Sequence, residues 1–226
     1  MTEHLDVVFL DVGGPLYGDR PYYEGLLAAI KELRPDADEA AFWAEFEACR
    51  ADQRGPFTRR LTTLFVDEED YDGVVRRGRE LWTYPPESLQ PDVRPALERL
   101  AAHYRLGVLA NQEPWIRDTM RRDGIDRYFE VWAVSGELGV EKPDAGIFEH
   151  ALRVAGAPAT RCAMVGDRLD NDVLAAKRHG MRGVWLLRGE APPEPTDEQL
   201  ARVDTAVRTL QELPAALGGL RSGAPG

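Results

Sequence analysis

Lysine is almost missing from this 226-residue chain: of its 28 basic residues, only Lys31, Lys142 and Lys177 are not arginine. Where the sequence needs plain positive charge it uses arginine, so each lysine is a more specific choice than usual. Cysteine is equally scarce. Cys49 and Cys162 lack CxxC or metal-ligand spacing and read as two buried free thiols in a reducing compartment. The four histidines (His4, His103, His150 and His179) are scattered and fit no zinc pattern. No apolar run approaches the roughly 18–20 residues that a membrane span requires. The polar start, Met1 to Asp6, leads straight into a strand and does not read as a signal peptide. A cytoplasmic location is the expectation. Positive charge is in deficit, with a net charge of −11, which argues against nucleic acid or an anionic membrane surface as partner. An anionic small molecule stays compatible, because one metal ion and one lysine can reverse the local field.

What is present suits one sizeable α/β domain with room for an insertion. Residues 6–11 form a short apolar run closed by an acid and followed by Gly13, Gly14 and Pro15. A run without polar alternation predicts a strand buried on both faces of a parallel sheet. Residues 106–110, 162–166 and 183–187 look alike, with a weaker strand at 129–133. Helical patterns at 92–103, 115–123, 145–155 and 171–179 separate them. Strands alternating with helices of this length predict right-handed βαβ units and a doubly wound parallel sheet. Residues 20–88 break the rhythm with helical patterns at 22–33, 39–52, 57–65 and 71–82, which read as an inserted helical cap. The expected division is a core of 1–19 and 89–218, a cap of 20–88, and a disordered tail of 219–226. A last short strand and helix are expected within 204–217.

Ligands of such sheets bind at the carboxyl ends of the strands. Three segments end there: Phe9 to Leu16, Val108 to Gln112, and Met164 to Asp172. Between the last two, Glu141-Lys142-Pro143-Asp144 places a lysine just before a helix. Taken singly, each residue also has an ordinary structural reading. Asp11 could cap a turn, Lys142-Pro143-Asp144 could be a helix start with proline in its first turn, and Asp167 and Asp172 could be loop and cap acids.

In this order the motifs resemble the haloacid dehalogenase superfamily, whose members are mostly Mg²⁺-dependent phosphatases, and the resemblance covers roughly residues 6–215. It implies a Rossmann-like core with a helical cap. It implies Asp11 as the nucleophile that becomes an aspartyl-phosphate, and Lys142 as the ammonium neutralising nucleophile and phosphate together. Asp11, Gly13 through its carbonyl, and Asp167 would hold Mg²⁺. Asp172 would orient Lys142 or a metal-bound water, and is counted with the metal group. The backbone of Val12, Gly13 and Asn111, with Lys142, would bind the substrate phosphate. The partner implied is a small phosphorylated metabolite, with no nucleic acid or membrane, and the chain is expected to be a monomer or homodimer.

The pattern departs from the family at three places. Gly13 stands where the phosphatases carry a second aspartate, the general acid and base. Pro15 replaces a threonine or valine, and Ala110 a serine or threonine. These changes spare the metal site and weaken the proton transfer, a loss of typically about 10²–10⁴-fold. Asp19 and Glu113 are candidates to replace the missing acid. Tyr17, Tyr22, Tyr23, Arg54, Arg59 and Trp82 are candidates to face the substrate. Lys31 is the one cap lysine that a Schiff-base chemistry could use. A second class of function, a catalytically degenerate member binding a phosphorylated ligand or partner, remains open from the residues alone.

Overall fold

The structure, a computed structural model, describes residues 4–220. Its centre is strand β1 (Val7–Leu10), whose four side chains are all buried. After β1 come the four helices of the insert, α1 (Arg20–Leu33), α2 (Glu39–Asp52), α3 (Phe57–Thr63) and α4 (Glu68–Leu81). The chain then continues through α5 (Val93–Ala101), β2 (Arg105–Ala110), α6 (Ile116–Arg122) and β3 (Phe129–Val134). After the short α7 (Ser135–Leu138) and α8 (Ala145–Ala155) come β4 (Cys162–Gly166), a π turn at Leu169–Val173 and α9 (Leu174–Arg178). The remainder is β5 (Arg182–Leu186), α10 (Asp197–Leu200), β6 (Thr205–Val207) and α11 (Leu213–Leu220). Helix α11 takes in Gly219 and Leu220, so these two residues do not belong to the expected tail of 219–226. Residues 221–226 lie outside those described.

The six strands are parallel, in the order β3-β2-β1-β4-β5-β6. The sheet is apolar on both faces because helices cover both. Val8 and Leu10 point to one side, where they pack with Leu97, Leu100 and Leu213. Val7 and Phe9 point to the other, against Ile147, Phe148 and Ala151 of α8. The direction of winding reverses between β1 and β4, where Leu10 sits opposite Val165. That reversal opens a crevice at the carboxyl edge of the sheet.

The helical insert has its own apolar cluster, including Leu26, Ile30, Phe42, Phe57, Leu61 and Val74. Its two connections to the sheet run side by side, with Gly18 N–H donating to Ser88 and Gln90 N–H donating to Leu16. The insert leans over the crevice through Tyr23, whose hydroxyl donates to Glu190 at 2.6 Å, and Gln53, which holds Glu190 and Leu169. Cys49 and Cys162 are both buried and free. No helix among the described residues is long and apolar enough to cross a membrane.

Candidate active site

Asp11 follows β1 and Asp167 follows β4, so the neighbouring strands deliver two carboxylates to the same edge. The Asp11 N–H donates to Val165 at 2.9 Å, continuing the ladder one residue beyond the strand. Asp167 is fixed at its backbone by the Trp185 indole, which donates to its carbonyl at 2.8 Å, and at Oδ2 by the Glu190 N–H at 2.7 Å. Asp172 lies in the π turn, fully buried, and its Oδ2 accepts from the Arg168 N–H at 3.0 Å. Asp11, Asp167 and Asp172 offer oxygens that all lie within 4.8 Å of one another.

Lys142 reaches this cluster from the loop before α8. Its Nζ sits 2.9 Å from Asp11 Oδ1 and 2.6 Å from Asp172 Oδ1, with its side chain only 1% exposed. The loop is clamped to the end of β2 by Asn111, which accepts from the Lys142 N–H at 2.7 Å and donates to its carbonyl at 2.9 Å. Pro143 precedes the Asp144 cap and is not in the first turn of α8, contrary to the helix-start expectation. Asp144 caps α8 by accepting from Gly146 N–H, while Lys142 faces the carboxylates.

Gly13 and Gly14 are required by what approaches them. Gly14 has φ +74°, and any Cβ there would overlap the Asp167 carboxylate. At Gly13 a Cβ would lie 2.7 Å from Asp19 Oδ1. Asp19 therefore occupies the space that a side chain at Gly13 would fill, and its Oδ2 is buried without a hydrogen-bond partner.

The electrostatics follow from burial. Asp11 is pushed up to about 7 by burial, against the opposing attraction of Lys142. Asp167 is raised well above the carboxylate range by burial, with Asp19 and Glu190 adding repulsion. Asp19 is raised for the same reason, with Glu190 and Asp11 as its charged neighbours. Burial lowers the Lys142 ammonium, but Asp11 and Asp172 outweigh it and the net direction is up. Five acidic side chains (Asp11, Asp19, Asp167, Asp172 and Glu190) thus share a crevice with the cations Lys142 and Arg168. The donor set is hard oxygen throughout, and its excess negative charge fits a divalent cation such as Mg²⁺.

A cavity of about 750 Å³ opens from Asp11 and Gly13 toward the insert. Among the described residues lining it, the cations are Arg79, Lys142 and Arg168. Arg168 is fully engaged with Asp170, Glu190 and the Gly55 carbonyl, and lies 3.8 Å over the Phe57 ring. Of the substrate-facing candidates, Tyr22, Tyr23 and Trp82 line the cavity. Tyr17 does not. It is buried against Tyr84 and bonded to Asp123. Arg54 is absent from the lining, as is Arg59, which pairs with Glu68 and Tyr71. Lys31 is bonded to Glu39 on the outside of the insert, away from the cavity. Arg79, Gln112, Arg168 and Glu190 were not foreseen. Arg79 in particular sits in a run with Arg76 and Arg77 that carries no signal separating it from a solvated helix face.

A family model described as haloacid dehalogenase-like hydrolase matches residues 5–180. A phosphoserine phosphatase from Thermus thermophilus is 32% identical over 184 residues, 76% of this chain and 72% of that protein. A glyceraldehyde 3-phosphate phosphatase from Pyrococcus abyssi is 36% identical over 136 residues, 58% of this chain and 56% of that protein. Among solved structures, a predicted phosphoglycolate phosphatase from Haemophilus somnus 129pt superposes with a TM-score of 0.73, covering 93% of this chain and 97% of its own. At 20% identity this last likeness concerns the fold alone.

Proposed function

Because the chain belongs to the haloacid dehalogenase-like hydrolase family, we propose that it is a Mg²⁺-dependent phosphatase of small phosphorylated metabolites, working through Asp11. The observation that carries this reading is the Lys142 ammonium, held between Asp11 and Asp172 beside Asp167 at the switch point of the sheet. The relatives named for phosphatase activity, on phosphoserine and on glyceraldehyde 3-phosphate, agree with it.

Asp11, Asp167 and the Gly13 carbonyl would hold the cation, with Asp172 beside them. When bound, the cation would neutralise charge between the carboxylates and the phosphate. Asp11 Oδ attacks phosphorus, the ester P–O bond breaks, and Asp11 carries the phosphoryl group. Lys142 opposes the effect of burial on Asp11, orients it, and draws the phosphate oxygens toward the nucleophile. The backbone N–H groups of Val12, Gly13 and Asn111 would contact the phosphate.

The leaving oxygen needs a proton, and Asp19 is the carboxyl placed to give it, in the space vacated at Gly13. Glu113, the other candidate, lines the outer cavity and stands 3.6 Å from Arg79. In the second half, water attacks the phosphoryl group, Asp19 takes a proton from it, and the P–O bond to Asp11 breaks. Inorganic phosphate leaves and the starting carboxyls are restored.

The deciding experiment is phosphate release from a panel of phosphate esters, with Mg²⁺ and with EDTA, using Asp11→Asn as the control. Metal-dependent turnover abolished in Asp11→Asn is the expected result. Mg²⁺-dependent binding of phosphate esters without release from any of them would replace this reading with a non-catalytic binding protein.

A further inference from the structure

One short loop, Gly189-Glu190-Ala191, touches both the acidic cluster and the helical insert. On the cluster side, the Glu190 N–H donates to Asp167 Oδ2 at 2.7 Å. Gly189 permits that approach: its φ is +58°, and a Cβ there would overlap the same carboxylate oxygen. Trp185 fixes the backbone carbonyl of Asp167, not its carboxylate. The direction of the carboxylate therefore depends on where the Glu190 amide is held.

On the other side, the insert holds that amide. The Tyr23 hydroxyl donates to Glu190 Oε1 at 2.6 Å, and the Gln53 side chain donates to the Glu190 carbonyl at 2.6 Å. Arg50 donates twice to the next carbonyl, that of Ala191, at 2.8 and 3.0 Å. Arg168 completes the set from the core, bonding Glu190 Oε2 at 3.0 Å and the Gly55 carbonyl of the insert at 2.7 Å. Tyr23 and Gln53 are 1% and 3% exposed, so water does not compete for these bonds.

Gln53 shows that the contact has a cost. It ends α2 in the left-handed region, with φ +53°, and is the one residue other than glycine with positive φ among the described residues. Glycine suits such a helix end better. Glutamine stands there with both ends of its amide bonded to the core, Nε2 to Glu190 and Oε1 to the Leu169 N–H at 2.8 Å. Backbone strain kept at a single residue points to a role for that side chain.

We propose that Glu190 is a positioning residue that couples the seated insert to the metal. Tyr23 and Gln53 hold its backbone, its N–H orients Asp167, and the cation binds tightly only with the insert in place. This rests on the phosphatase reading, in which Asp167 is a ligand of Mg²⁺. Such coupling is reciprocal, so Mg²⁺ in turn holds the insert down.

The double variant Tyr23→Phe with Gln53→Gly tests it, because neither change removes charge from the crevice and glycine accepts the left-handed position. Titration calorimetry with Mg²⁺ alone should show its Kd rising about 10–100-fold, the range for losing a group that orients a metal ligand. The Mg²⁺ concentration for half-maximal phosphate release should rise by the same factor, with turnover recovering at saturation. Hydrogen exchange at residues 50–57 should slow when Mg²⁺ is added to the wild type and lose that response in the double variant. Arg77→Ala breaks the pair with Glu32 on the outside of the insert and should leave the Kd unchanged. An equal rise there would show that any loosening of the insert weakens the metal, and overturns Glu190 as the route. An unchanged Kd in the double variant, or wild-type exchange at 50–57 indifferent to Mg²⁺, overturns the coupling and leaves the phosphatase reading intact. A wild type that binds no Mg²⁺ sinks both.

Discussion

The carboxylate of Asp19 stands where a side chain at Gly13 would have to be, with Oδ1 only 2.7 Å from the position of a Cβ. A residue from beyond the turn thus enters the space left by one missing within it. If Asp19 supplies the proton, Asp19→Asn should lower kcat for alkyl phosphates by about 10²–10⁴-fold. Aryl esters such as p-nitrophenyl phosphate, whose leaving group needs no proton, should lose far less in the first step. Parallel kinetics on the two ester classes measure this, and an unchanged alkyl-to-aryl ratio would remove Asp19 from the chemistry. Placing the acid back with Gly13→Asp should recover alkyl turnover in an Asp19→Ala background and clash with Asp19 in the native one.

Beyond its proposed chemistry, Lys142 bears on stability. Its ammonium is enclosed between Asp11 and Asp172, and removing it leaves two buried carboxylates facing each other. Breaking one partner out of a buried ionic group costs about 3–5 kcal/mol. Lys142→Met should therefore lower the urea midpoint by a corresponding amount and abolish phosphate release. A loss under about 1 kcal/mol would mean the carboxylates accommodate each other without the ammonium. Lys142→Arg should not rescue, because a guanidinium is wider than this fully enclosed site accepts.

Metal binding should be visible without turnover. A cation that binds only the folded state raises stability by about 2.7 kcal/mol at a hundred times its Kd. Mg²⁺ should accordingly raise Tm in the wild type. Asp167→Asn, which removes one charged oxygen from the cluster within 4.8 Å, should abolish most of that rise. Arg79→Leu should keep it, because Arg79 pairs with Glu113 and Glu141 and not with the clustered carboxylates. A Tm in Asp167→Asn that still responds fully to Mg²⁺ would place the cation elsewhere.

Much of this was legible in the sequence because the physics is local. Strands β1, β2, β4 and β5 are buried on both faces, so their apolar runs stand out, and β4 falls at residues 162–166 as expected. Helices α2 and α8 begin where expected because Asp38 and Asp144 cap them with side-chain bonds, and end where expected at the left-handed Gln53 and Gly156. The start of α9 was less legible. The helical pattern from 171 hides a π turn at Leu169–Val173 that turns Asp172 inward to Lys142. What the sequence concealed were the long-range choices. Nothing local distinguishes Arg79, facing the cavity, from Arg77, bonded to Glu32 on the outside. The same holds for Asp19, whose carboxylate reaches the space beside Gly13 only because the loop folds back.

Tyr17 gives a last prediction, away from the carboxylate cluster. Its hydroxyl donates to Asp123 at 2.9 Å, tying the connection after β1 to the end of α6, and Arg122 pairs with the same carboxylate at 2.7 Å. Burial alone would raise Asp123, but the Arg122 and Tyr17 bonds outweigh it and hold the carboxyl below its ordinary value. An acid depressed in the folded state adds stability above its unfolded pKa of about 3.9, and that stability is lost as pH falls through the folded value. Tyr17→Phe removes one of the two bonds to the ionised form. Its cost should be about 1.5–3 kcal/mol at pH 7, the range for a hydrogen bond to a charged group. The gap to wild type should then narrow as Asp123 takes up its proton below about pH 4. Urea unfolding of both proteins at pH 7 and near pH 3 measures it. A gap that stays constant across that range would show that Tyr17 stabilises through packing on Tyr84 and not through the Asp123 bond.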